Sequence, residues 1–156
     1  MRRPEREIKD QKTIRALLDQ TPVGRIATIN RKGYPVIKPL NYIYLDGKIY
    51  FHSSKKGEKI SDIRRGSLVC FEIDQPIAYV TTPGPACKAS FTYRSILIKG
   101  SAGLIRSGRK KMEILEKLME KYQPEGGYTG ISQEILQRTA VIEISIDEIT
   151  GKENMG

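Results

Sequence analysis

The chain reads as a mainly β protein with helical additions, a single domain over residues 1–156 built on a six-stranded antiparallel barrel. Two kinds of observation predict this. Several segments alternate apolar and polar residues with the period of a strand. The links between early strands are short, and Leu45-Asp46-Gly47-Lys48 is a strong hairpin signal because glycine accepts positive φ at no steric cost. Antiparallel strands in this number close most economically into a barrel, which removes open edges.

The elements follow in order. Asp10 caps a helix running to about Gln20, with Ile14, Leu17 and Leu18 forming one apolar stripe, and Thr21-Pro22 ends it. Val23 to Ile29 is a strand, Asn30 to Gly33 a turn, and Tyr34 to Tyr44 the next strand. Lys48 to His52 returns across the Asp-Gly turn, and Gly57 to Arg65 is a short helix. Ser67 to Ile73 is a fourth strand, with Cys70 expected in the core. Ala89 to Ile105 is too long for one regular strand, so a bend or bulge is expected near Gly100 or Gly103. Lys110 to Tyr122 is amphipathic, with Met112, Leu115, Leu118, Met119 and Tyr122 packing inward. Pro124 to Gly127 breaks it, and Thr139 to Ile146 is the last strand.

Charge narrows the partners. Against 18 acidic residues stand 27 basic ones, a net charge of +9, which favours anionic partners. Much of that excess is scattered: Arg2, Arg3 and Arg6 sit at an N-terminus expected to fray, and Lys110, Lys111, Lys117 and Lys121 alternate with Glu113, Glu116 and Glu120 as a solvated helix face does. The aromatic residues fall at core-like strand positions rather than in a stacking set, which argues against nucleic acid. No apolar run approaches the roughly 18 residues of a membrane span, and no signal-peptide pattern opens the chain, so a cytoplasmic protein is expected. Cys70 and Cys87 have neither CxxC spacing nor a nearby histidine, and no metal site is expected.

One segment concentrates chemistry. Where the Lys48 strand ends, His52, Ser53, Ser54, Lys55, Lys56, Gly57 and Lys59 gather hydroxyls, cations and a pliant backbone just before a helix, a setting suited to a phosphate. His52 is the lone histidine and also reads as an ordinary structural one; Gly57 also reads as turn relief. Lys55, Lys56 and Lys59 cannot all address one phosphate, and Lys59, about a turn inside the helix, is the preferred contact.

Val23-Gly24-Arg25-Ile26-Ala27-Thr28, the strand with Pro39-Leu40-Asn41 at its centre, Asp46 to Ser53, Gly57-Glu58-Lys59 and Tyr93-Arg94-Ser95 together resemble the flavin-binding split barrels. Within them the chain is similar to the branch related to pyridoxamine 5'-phosphate oxidase that contains the nitroimidazole-resistance proteins, from about Arg2 to Ile149. The resemblance implies a six-stranded antiparallel FMN-binding split barrel, acting as a homodimer with FMN at the subunit interface. It implies the backbone of Lys38, Pro39, Leu40 and Asn41 along the isoalloxazine, and His52, Ser53, Lys56, Gly57 and Lys59 on the phosphate side. Tyr93, Arg94 and Ser95 would come from a later strand, of the same or of the other subunit; alternation lets Tyr93 and Ser95 share a face and puts Arg94 on the opposite one or in the barrel wall.

The chain departs from a true pyridoxamine phosphate oxidase in lacking a match to its substrate-phosphate residues and C-terminal segment. An FMN-dependent oxidoreductase of nitroreductase or flavin-reductase type, fed by a nicotinamide donor and passing electrons to a small acceptor, fits better. No catalytic acid/base pair stands out beyond His52 and the tyrosines. A non-catalytic FMN- or haem-binding sensor or carrier would use the same site.

Overall fold

The computed structural model describes residues 3–156, so the readings on Arg2 lie outside the described residues. Eight strands and four α-helices follow in it: β1 (Glu7–Ile8), α1 (Gln11–Gln20), β2 (Gly24–Ile29), β3 (Pro35–Leu40), β4 (Ile43–Leu45), β5 (Lys48–Ser54), α2 (Glu58–Arg64), β6 (Leu68–Val80), β7 (Ser90–Leu104), α3 (Gly108–Tyr122), α4 (Gln133–Arg138) and β8 (Thr139–Asn154). The strands pair antiparallel in the order β3-β2-β6-β7-β8-β5-β4, with β1 added to β8. The two ends of that path, β3 and β4, are joined in the chain by Asn41 and Tyr42 alone, so the sheet rolls up but stays open along one seam. This is the split-barrel class.

Eight strands replace the expected six for two local reasons. β1 is two residues long and pairs with Gly151 and Lys152, which ties down an N-terminus expected to fray from Pro4 onward. The run Tyr34 to Tyr44 divides at Tyr42, whose side chain is fully buried. Its ring meets Phe71 edge-on at 4.8 Å and its hydroxyl donates to the Leu18 carbonyl at 2.8 Å. Its own N–H donates to the Tyr122 hydroxyl at 2.9 Å, and that hydroxyl donates in turn to the Pro22 carbonyl at 2.7 Å. These bonds turn the chain so that β3 can pair with β2 and β4 with β5. Replacing Tyr122 with phenylalanine is expected to cost about 1 to 2 kcal/mol by orphaning the Tyr42 N–H, read as a lower urea midpoint at unchanged slope.

Other boundaries also moved. β6 runs past Ile73 to Val80, because Pro76 is accommodated at a register shift opposite Tyr93 and Thr92 instead of ending the strand. β8 continues past Ile146 to Asn154, and α4, capped by Ser132 on the Ile135 N–H, was not foreseen. The bulge expected near Gly100 is present, between Lys99 and Gly100 against β8.

Two apolar clusters lie on either side of β5. Ile26, Phe51, Phe71, Ile73, Ile96, Ile98, Ile142 and Ile144 fill the barrel, each completely or almost completely buried. Each such side chain contributes roughly 1.5 to 3 kcal/mol. Tyr50 and Val141 point the other way, onto Ile114, Leu115 and Leu118 of α3 and Leu136 of α4. Cys70 is not in the core: it is half-buried on the opposite face of β6 from Val69 and Phe71, because alternation allots the interior to those two. Cys87 is exposed.

Candidate functional site

Strand β3 is the element left without cover. Every residue in it is exposed or only half-buried, Ile37 reaching 62% exposure, and one of its edges has no strand beside it. Lys38 lies opposite Ile26 in the β2–β3 ladder and therefore points to the barrel side of the seam. Across the seam stands α2, held to β2 by the buried Asp62, which accepts from Thr28 Oγ1 at 2.9 Å and from Arg65 at 3.1 Å. That anchorage sets the Lys59 ammonium 5.0 Å above the Phe51 ring. Burial, and then the charge of Lys38, lower the Lys59 pKa below the usual lysine range. No carboxylate pairs with either lysine among the described residues. Two like charges at a half-buried opening are unfavourable alone and suit an anion between them.

Strand alternation separates two residues that were expected together. Ser53 shares the face of Phe51, toward the seam, whereas His52 shares the face of Tyr50, toward α3. There His52 borders a cavity of about 270 Å³ lined by Leu115, Leu118, Met119, Tyr128 and Ile131. Burial, and then Lys59, lower its pKa, which favours the neutral ring. Lys56 and Gly57 line a cleft of about 420 Å³ with Arg31, Lys55, Arg64 and Arg65. Gly57, at φ 114°, holds a conformation other residues rarely adopt, at the turn from β5 into α2. Pro39 and Asn41 are exposed on the β3 side of the seam, while Leu40 packs against the barrel core.

Tyr93, Arg94 and Ser95 lie elsewhere. Tyr93 pairs with Asn154 at one end of the sixteen-residue β8, and Ser53 pairs with Ala140 near its other end. A strand of that length runs to roughly 50 Å at about 3.3 Å per residue. One mononucleotide cannot touch both places in one subunit. Arg94 has the parity of the core residues Ile96 and Ile98 and bonds Glu153 at 3.1 Å, while Tyr93 and Ser95 face outward.

The solvated reading of α3 holds for Lys110 and Lys117, which pair with Glu113 and Glu120 at 2.8 and 2.7 Å. It fails for two others. Lys111 is buried among Ile114 and Leu115, and Lys121 lies 4.0 Å over the Tyr42 ring with its pKa lowered to about 8, chiefly by burial. Their positions on the Ile114-Leu118 stripe were the available signal. Among the described residues no group of three or more His, Cys, Asp or Glu forms a metal site, and no helix is long and apolar enough to cross a membrane.

A rolled antiparallel sheet, open at one seam and basic beside it, agrees with sequence kinship. Residues 10–153 match the family model described as pyridoxamine 5'-phosphate oxidase, and the chain belongs to that family. Among curated proteins, none matches it. Solved structures share the fold. The flavocytochrome Anf3 from Azotobacter vinelandii is 23% identical at a TM-score of 0.89, over 100% of this chain and 72% of that one. An FAD and haem binding protein from Mycobacterium smegmatis is 19% identical at 0.87, over 97% and 74%. A candidate 5-nitroimidazole antibiotic resistance protein from Bacteroides thetaiotaomicron VPI-5482 is 23% identical at 0.82, over 94% and 86%.

Proposed function

We propose that this protein is a cytoplasmic flavoprotein that binds FMN in the β3 seam of a homodimer and serves as an oxidoreductase for small acceptors, nitro-aromatic compounds among them. The observation that carries this reading is the uncompensated pair Lys38 and Lys59 beside an uncovered edge strand. A phosphate dianion between them relieves their mutual repulsion and the cost of the partial burial of Lys59. Ser53 adds a hydroxyl from the same face, and Lys56 and Gly57 close the loop around the phosphate. The backbone from Lys38 to Asn41 offers a free edge along which a flat ring can lie, anchored through the bonds at Tyr42.

Tyr93, Arg94 and Ser95 reach such a flavin only from a second subunit, given their place at the far end of β8. The β6–β7 arm supports that arrangement, since it carries Ile77 and the 83%-exposed Tyr79 beyond the barrel. When bound, the flavin supplies hydride and electron transfer between a nicotinamide donor and the acceptor. The protein's part is to hold the phosphate, fix the ring and leave one side open for reactants. His52, neutral and outside the seam, acts at most indirectly on the phosphate.

Riboflavin provides the test. It has the same ring without the phosphate and is expected to bind at least about tenfold more weakly than FMN, the loss of one charge-assisted contact set. Equal affinities by fluorescence titration contradict the assignment. A haem reading draws on His52 facing the apolar cavity with Met119; a Soret band in the purified protein would select it.

A further inference from the structure

A second cleft, of about 520 Å³, lies where the end of β7, the start of α3 and the start of β8 meet. Lys55, Arg64, Arg106 and Lys111 line it, with Leu104 and Ile105. It has no acidic lining residue, and none of its four cations has an ion-pair partner among the described residues. Lys111 is the telling member. It is only 9% exposed, yet lysine is rarely buried without a counter-charge. Its ammonium donates to the Leu136 carbonyl, which uses one of three N–H groups. Burial and then the charge of Lys55 lower its pKa, and no carboxylate pairs with it among the described residues.

Packing alone does not call for this residue. A methionine would fill the same stripe position on α3 at no electrostatic cost. We propose that the Lys55–Arg64–Arg106–Lys111 cleft is a second anion site, which takes a phosphate group other than the one held at the β3 seam. It adjoins the Lys56–Gly57 cleft, with which it shares Lys55 and Arg64, so the two clefts form one basic groove. Two sources carry such a group: the second phosphate of a dinucleotide flavin, or the diphosphate of a separate nicotinamide nucleotide.

The experiment is calorimetric titration of the full-length, FMN-saturated protein with sodium pyrophosphate. One pyrophosphate per chain is expected, with affinity reduced about tenfold by Lys111→Met and again by Arg106→Gln. FMN affinity stays within about twofold of wild type in both. Both variants should fold, since one replaces a buried charge by an apolar chain of similar length and the other changes an exposed side chain. No pyrophosphate uptake, or uptake unchanged in both variants, overturns the proposal. A variant that is less stable but binds pyrophosphate as wild type does assigns Lys111 a structural role only and also overturns it. Titrating the flavin-free protein with FAD and the FMN-saturated protein with NADH assigns the source, by which of the two loses affinity in the variants. The anion site stands apart from the flavin reading: Lys111-dependent pyrophosphate binding by a protein that takes up no FMN would sink the flavin assignment and keep the site.

Discussion

Truncating Lys59 to alanine is expected to weaken FMN binding by about 2 kcal/mol, roughly thirtyfold in Kd. The ammonium stands over Phe51 at the seam, half-buried and facing Lys38, so its contact with a phosphate is shielded from water on one side. Surface ion pairs contribute far less, and Lys117→Ala, on the exposed face of α3, should leave the affinity unchanged. The same geometry predicts a pH dependence. Because the free-state pKa of Lys59 is lowered, its proton is lost earlier on the alkaline side than that of an exposed lysine, and FMN affinity should fall there first. Wild-type affinity in Lys59→Ala, measured by quenching of flavin fluorescence, would remove the phosphate assignment.

Substituting alanine at Gly100 is expected to be the most damaging single change to the fold. A Cβ there would stand 2.0 Å from the Ser145 carbonyl oxygen of β8, and the nearest atoms are all backbone of Ser145 and Ile146, with no flexible side chain to yield. Relief requires parting β7 from β8 at the bulge, within a ladder of twelve residue pairs. Overpacking of this kind costs about 3 kcal/mol, a drop in Tm of roughly 6 to 12 °C for a chain of this size. Gly103, three residues on, has open space around its Cβ position and serves as the control. Equal melting temperatures for Gly100→Ala and Gly103→Ala would show that the bulge can open at no cost.

These two sites mark where sequence reasoning worked and where it stopped. Gly100 was legible because Ala89 to Ile105 exceeds the length of one regular strand and glycine is where such a run yields. The hairpin at Asp46-Gly47 was legible for a similar reason, and both residues have positive φ. The division of β3 from β4 was not, because it is imposed by Tyr122 and Leu18, which are distant in the chain from Tyr42. The extension of β6 past Ile73 was not legible either, since Pro76 stands at a register shift that leaves the strand intact.

For the candidate site, local composition located the His52–Lys59 segment, but a period-two strand could have warned that His52 and Ser53 part ways across β5. The pairing of Lys59 with Lys38 depends on the sheet rolling, which no local pattern encodes. Lys111 was hidden by its neighbours: Lys110 and Glu113 make that turn of α3 look wholly solvated, although Lys111 occupies the apolar stripe. Tyr93 to Ser95 were recognisable as a group, and only the β8 register reveals how far they lie from the seam of their own subunit.

The central claim, a flavin held at the seam, is tested most directly by the absorbance spectrum of the purified protein, followed by release and identification of the bound chromophore. Flavin bands and FMN in the released fraction are expected. A colourless protein that also fails to take up added FMN would contradict it.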